Sequence, residues 1–365
     1  MKTEFAKFFL SASMVISLIS CSDNKGGEYF SLPVKEVDYL GKCGPAVSGT
    51  PVSWSPLGSD EFVIKDSLCM IVTSDPEGML KVVSLNSNSL IGNFCTKGRA
   101  GNEFLRALDE FNQPYVRNGD IFYPLTDMDF FYSQVKVVNV SESLRKKTTV
   151  IDDQFEVDVR HCVLLDNDKN RQFQVIEIDG PEEYENLGDK APERYVLVEN
   201  GVENEIEVFP KRMKGADENL IFVPYGGAMF KHPGKNIAVQ LLMDMDYIIY
   251  FDFENNRHFA IHQKGAVTFD DECPDPVGNE MFFTDAAVSD DYLFALYWHE
   301  GNSWESNTQD NRPEILAFDW KGNFLGGCRL GERITSIEYD ATRNVIYGLS
   351  RITETIYTYP NPIKR

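Results

Sequence analysis

The strongest constraint on this chain is a recurring pair of hairpins. An apolar run meets a short polar turn and leaves on a second apolar run, as in Val82-Val83-Ser84-Leu85, Asn86 to Ser89, then Leu90-Ile91. The same arrangement recurs with turns centred on Glu142, Gly201, Asn255 and Lys321, so that from Ser87 onward the steps are 55, 59, 54 and 66 residues. Each of these hairpins is preceded by another that turns on polar residues: Lys65 to Ser67, Arg117 to Asp120, Asn167 to Asn170, Pro233 to Asn236, Ser289 to Asp291 and Ala341 to Asn344. Period-two alternation dominates and no long stretch has helical periodicity, so the chain reads as all-β. Two hairpins per unit make a four-stranded blade, and six units of about 55 residues fill residues 28–360. The spacing therefore predicts a six-bladed β-propeller.

The sixth unit is one strand short. It offers Ile334 to Tyr339, Val345 to Leu349 and Thr355 to Tyr359, after which Pro360 and Pro362 end the pattern. The segment Tyr29 to Val37 stands alone before the first hairpin, and the expectation is that it closes the last blade as an N-terminal strand. Closure removes the exposed sheet edges that invite aggregation.

The first twenty residues have Lys2 and Lys7, then an apolar stretch from Phe8 to Ile19, the pattern of a secretory signal peptide. That stretch is shorter than the roughly 20 residues a spanning helix needs. Leu18-Ile19-Ser20-Cys21 resembles the bacterial lipobox, which implies cleavage before Cys21 and acylation of that residue. At about 0.8 kcal/mol for each buried CH₂, several acyl chains hold a protein stably on a membrane. The expected organisation is a signal peptide over 1–20, a polar lipidated tether over 21–27 and the propeller over 28–365. Ser22 after the lipid cysteine resembles lipoproteins sorted to the outer membrane.

Charge narrows the partners. The formal net charge is -22, and removing residues 1–20 takes away Lys2, Lys7 and Glu4 to leave -23. With no basic patch to offset it, such a surface repels a phosphate backbone and argues against nucleic acid. Six cysteines follow Cys21, and fifteen pairings are open to them.

Blade count, lipobox and N-terminal strand together resemble the TolB-like six-bladed propeller lipoproteins of Gram-negative bacteria. One local motif carries the resemblance further: Lys97-Gly98-Arg99-Ala100-Gly101-Asn102-Glu103-Phe104 is similar to that family's Gly-rich turn after the first blade, with Ala100 in place of a glycine. The resemblance implies fold and location and brings no common activity.

Blade topology sorts the loops. Connections between the second and third strands share one face of the disc with the connections between blades, and hairpin turns occupy the other. Variable loops on a rigid scaffold are the usual seat of function. On the first face fall the loop with Arg99 and Glu103, the long loop from Gly180 to Pro192, and the long loop from His299 to Arg312 with Trp304. So do Asp127 with Asp129 and Asp244 with Asp246, each pair about 6.6 Å apart on an extended segment. Such a pair can contribute to a Ca²⁺ site, which needs further oxygens, or can simply form turns at a strand end.

Catalytic motifs are poorly represented. There is no Walker A loop, no G-x-S-x-G and no H-E-x-x-H. Ser143 and Lys146 match S-x-x-K but fall in an expected hairpin turn rather than on a helix. His258 and His262 lie about 13 Å apart on a strand, too far for one ion. The leading expectation is a non-enzymatic binding module, anchored in the outer membrane through Cys21, whose variable-loop face takes an envelope protein, peptide or glycan. The rival is a metal-dependent enzyme similar to lactonase or lyase propellers with an axial site.

Overall fold

The computed structural model describes residues 27–54, 58–110, 113–128, 133–156, 161–177, 187–216, 224–271, 273, 281–298 and 312–363. Its strands form six small antiparallel sheets in chain order around an axis, a six-bladed β-propeller. Blade 1 comprises Ser59–Lys65, Leu68–Thr73, Leu80–Ser84 and Ser89–Phe94, and blade 3 comprises His161–Leu164, Arg171–Glu177, Glu193–Glu199 and Val202–Ile206. The first strands of blades 3, 4, 5, 6 and 1 touch in succession, so they line the axis.

Because each sheet packs on both faces, central strands are apolar throughout rather than alternating. Ile237–Leu242 and Leu293–Tyr297 are buried at every position. The core is accordingly divided among the seams between blades. Tyr195, Phe209, Phe251 and Phe269 fill the seam of blades 3 and 4, and Tyr250, Phe318 and Leu316 that of blades 4 and 5. Polar stitches cross these seams where a backbone group or hydroxyl would otherwise be orphaned. Gln113 exchanges two hydrogen bonds with the backbone of Leu164 at 3.0 and 3.1 Å, and Tyr195 donates to Gln240 at 2.6 Å.

The N-terminus departs from the expectation. A short strand does complete the last blade, but it is Thr50–Pro51, antiparallel to Thr355–Pro360. The segment ending in Val37 belongs elsewhere: Val34–Val37 adds a parallel fifth strand to blade 4, with Val34 opposite Ala260. Gly44–Val47 then adds a parallel fifth strand to blade 5, beside Phe324–Leu330. Residues 34–51 thus form a belt over the outer edges of three consecutive blades. The belt is fixed by Tyr39, fully buried against Tyr297 and Phe318, and by the side chain of Gln263, which accepts from the amides of Tyr39 and Leu40 at 3.0 and 3.1 Å.

A second departure lies in blade 2, where the expected turn around Ser143 is a helix, Val140–Lys146, capped by the Asn139 side chain. Ser143 is nevertheless spent structurally. Its hydroxyl donates to the Asn139 carbonyl at 2.7 Å and accepts from the amide of Val150 at 2.9 Å, while Lys146 pairs outward with Glu142 at 3.0 Å.

Candidate functional site

The face carrying the connections between blades can be built from the residues the sequence singled out. Arg99 is exposed on its loop, and the Glu103 carboxylate accepts from the amide of Ala100 at 2.8 Å, tying the turn on itself. Asp127 points inward: it pairs with Lys136 at 2.7 Å, nearly out of solvent, and accepts from the amide of Leu105 at 2.6 Å. Lys136 in turn donates to the Glu103 carbonyl at 2.5 Å and sits 4.8 Å from the Phe104 ring centroid. The first blade-to-blade connection is therefore nailed down by a buried ion pair. Asp246 is likewise buried, accepting from Tyr39 and from Tyr297, the latter at 3.0 Å. Asp244 is half-buried, and burial pushes its carboxyl up to about 6. Asp129, His299, Trp304 and Cys21 lie outside the described residues. Trp298 and Tyr297 are buried between blades, with the Arg333 guanidinium 5.5 Å from the Trp298 ring. Among the described residues no group of three or more His, Cys, Asp or Glu could hold a metal ion. Cys43, Cys69, Cys95, Cys162, Cys273 and Cys328 are free thiols.

What the structure brings together is a set of carboxylates that no spacing in the sequence announces. A cavity of about 500 Å³ opens on the axis, on this same face, with walls from blades 1, 2, 4, 5 and 6. Glu61, Asp109, Glu110 and Asp285 line it, with Arg351 and Thr284 beside them. Two of these carboxylates follow a β-bulge at the start of an axial strand: the register slips between Ser59 and Glu61 in blade 1 and between Phe283 and Asp285 in blade 5. A bulge turns the strand locally and re-aims the side chains that follow, which is why such features gather beside functional sites.

Among the residues lining the cavity, four carboxylates stand against one guanidinium, that of Arg351. Asp285 accepts from the amide of Ile337 at 2.6 Å, across the seam to blade 6. Burial, reinforced by the negative charge of Glu61, still pushes its carboxyl up to about 7. Glu338, on the first strand of blade 6, accepts from the amide of Ile64 at 3.4 Å, and burial together with Asp285 holds its carboxyl well above the ordinary range. Tyr123 donates to Asp109 at 2.5 Å, and its phenol is pushed up by burial and then by Asp109. Strong upward shifts of this kind, converging on a cleft, mark candidate functional sites. A second cavity, about 640 Å³, lies at the rim of blade 3, but its Arg194 and Glu205 already pair with each other at 3.2 Å.

Fold and cavity together define an axially open six-bladed propeller. No family model matches the chain, and no curated protein matches it. Among solved structures it is similar to a member of the DUF4221 family from Bacteroides vulgatus, with a TM-score of 0.54 at 8% identity over 91% of this chain and 96% of the other. A protein from Bacteroides fragilis described as exported is similar over 91% of this chain and 99% of its own, with a TM-score of 0.48 and 10% identity. Hydrazine synthase of Kuenenia stuttgartiensis gives a TM-score of 0.41 at 11% identity over 85% of this chain and 78% of its own. At such identities the likeness is one of fold.

Proposed function

We propose that this chain is a TolB-like lipoprotein of the outer membrane, held by acyl groups on Cys21, that acts as a binding module for an envelope protein or peptide. The observation that carries the reading is the axial cavity, where four carboxylates from three blades line one wall system. Such a site favours a ligand bearing a positive charge, because an ammonium or guanidinium entering it stabilises the ionised form of Asp285 that burial, and after it the charge of Glu61, disfavours. Charge complementarity also raises the rate of encounter and rejects acidic competitors.

Two measurements test this reading. Replacing Cys21→Ser should move the protein from the membrane fraction to the soluble one, and persistence in the membrane would remove the anchor from the reading. A fluorescent peptide with two lysines should bind more tightly than its glutamate counterpart and lose at least about tenfold with Glu61→Gln or Asp109→Asn. Equal binding of both peptides, or indifference to both substitutions, would refute the cavity as the binding site. One observation favours a second reading, an axial enzyme similar to propeller lactonases or lyases: a carboxyl near 7, as at Asp285, is suited to general-base work at neutral pH. Turnover of a model lactone that disappears with Asp285→Asn would decide for it.

A further inference from the structure

The point at which the chain leaves its tether bears on where the cavity looks. Tyr29 and its neighbours do not emerge at the hairpin turns. Glu28 pairs with Lys211 at 2.6 Å, and the Ser31 amide donates to the Val208 carbonyl at 2.9 Å. Phe30 is buried among Phe209, Phe269 and Tyr247, with ring centroids 5.4 to 5.5 Å away. The space a side chain on Gly27 would need is taken by the carboxylate of Asp270, 2.6 Å from that position. Lys211, Val208 and Phe209 belong to the connection from blade 3 to blade 4, and Phe269 and Asp270 to the connection from blade 4 to blade 5. Both connections lie on the face that opens into the axial cavity, since Glu61 and Ser336 lie at the starts of axial strands there, Asp109 follows the short axial strand Ala107–Leu108, and Arg351 follows the second strand of blade 6.

We infer that the cavity-bearing face is the one turned toward the membrane, so that the partner of this module is seated in the same membrane rather than beyond the disc. The inference rests on the lipid-anchor reading above. From Cys21 to Gly27 there are six residues, which at about 3.5 Å each reach no more than about 21 Å. A tether that short, leaving from one face, would be used up at full extension in reaching the level of the opposite face, about 20 Å away along the strands, so presenting that opposite face to the bilayer would hold it stretched straight against its own conformational entropy. It is still long enough to hold an acidic face clear of anionic headgroups, because the screening length at physiological salt is about 8 Å. The hairpin-turn face then looks away from the bilayer, and the short polar turns on it are what a solvated outer surface requires. A basic loop of a membrane-embedded protein is the partner chemistry that fits the gap.

Energy transfer tests the orientation in the full lipidated chain. A fluorophore is attached through a genetically encoded azide residue at Ile352, exposed on the cavity face, or at Asn255, exposed in a hairpin turn, and the acceptor is carried by headgroups of the vesicle. The two positions are separated along the axis by roughly the length of a six-residue strand such as Val345–Ser350, about 20 Å. Transfer should be several-fold higher from position 352 than from position 255. Equal transfer, or higher transfer from 255, with the protein bound to the vesicles would overturn the orientation and leave the anchor standing. Failure of the wild-type chain to bind vesicles any better than Cys21→Ser would overturn the anchor and the orientation with it.

Discussion

Replacing Asp285→Asn should change how stability depends on pH in a way that isolates the axial acids. The carboxyl stands at about 7 in the fold against an ordinary value of 3.8, so the fold favours its protonated form. The contribution is complete below about pH 4 and is lost as pH rises through about 7. Three units correspond to about 4 kcal/mol at 1.36 kcal/mol per unit. The amide of Ile337 and partial contact with the cavity reduce this, and about 2–4 kcal/mol is the working range. Asparagine keeps an oxygen that can accept from Ile337 and carries no charge, so it mimics the protonated acid at every pH. Wild type and variant should therefore differ by no more than about 1 kcal/mol at pH 4.5, and the variant should be more stable by about 2–4 kcal/mol at pH 8.5.

Urea unfolding at half-unit pH intervals measures the difference, provided the slope m is the same for both proteins. Carboxylates held low by their partners, such as Asp120 beside Arg145 and Asp166 beside Asn236 and Arg171, weaken both proteins equally in acid and cancel in the comparison. A constant offset between the two curves from pH 4.5 to 8.5 would show that Asp285 titrates as an ordinary carboxylate and that the crowding argument is wrong.

Three further outcomes follow from the packing. Lys136→Met should cost about 3–5 kcal/mol in chemical denaturation, because it strands the buried Asp127 carboxylate; a loss below about 1 kcal/mol would mean the pair is effectively solvated. Tyr39→Ala should cost about 3–5 kcal/mol and speed amide exchange specifically over residues 34–47, as the belt loses its aromatic anchor; unchanged exchange there would show that strand pairing alone holds it. Cys69, Cys95 and Cys162, buried and with thiols pushed up by burial, should not react with a chromogenic disulfide at pH 8 until the protein is unfolded, and reaction within minutes in the native state would contradict the seam packing.

The blades were legible because their turns carry chemistry of their own. Asn88, Asn118, Asn167, Asn200, Asn256 and Asn344 sit at hairpin turns or their flanks and all adopt positive φ, a conformation asparagine tolerates better than other side chains. The belt was not legible. Val34-Lys35-Glu36-Val37 carries the marks of an edge strand, and an edge strand fits any of six similar blades; only the burial of Tyr39 on blade 5 selects the place. The aspartates that stood out in sequence, Asp127 and Asp246, stood out because they are local repeats, yet both are consumed by Lys136 and by tyrosines contributed from distant segments. The axial acids had no signal at all. Glu61, Asp109 and Asp285 come from separate blades, with no fixed spacing, and two of them depend on bulges, which alternation reads only as noise in the pattern.

The belt also bears on the mechanics of a closed ring that, under the proposed anchor, would be attached at one end. Blade 6 is completed by a short strand, Thr50–Pro51, with the Val52 amide donating to the Ile356 carbonyl at 2.9 Å just beyond it, and proline brings no amide to the ladder. Closure by so short a strand would fray under any pull on the N-terminus. Between the tether and that strand, however, lie the buried ring of Phe30, four residues paired along blade 4, the buried Tyr39 and the pairing of Gly44 to Val47 along blade 5. With the anchor proposed at Cys21, tension would be borne first at the Glu28–Lys211 pair and where Phe30 enters the aromatic seam of blades 3 and 4, and it would have to strip these contacts in sequence before reaching the closing strand. An anchored propeller can thus keep its weakest blade remote from its point of attachment, although the two lie on one continuous stretch of chain.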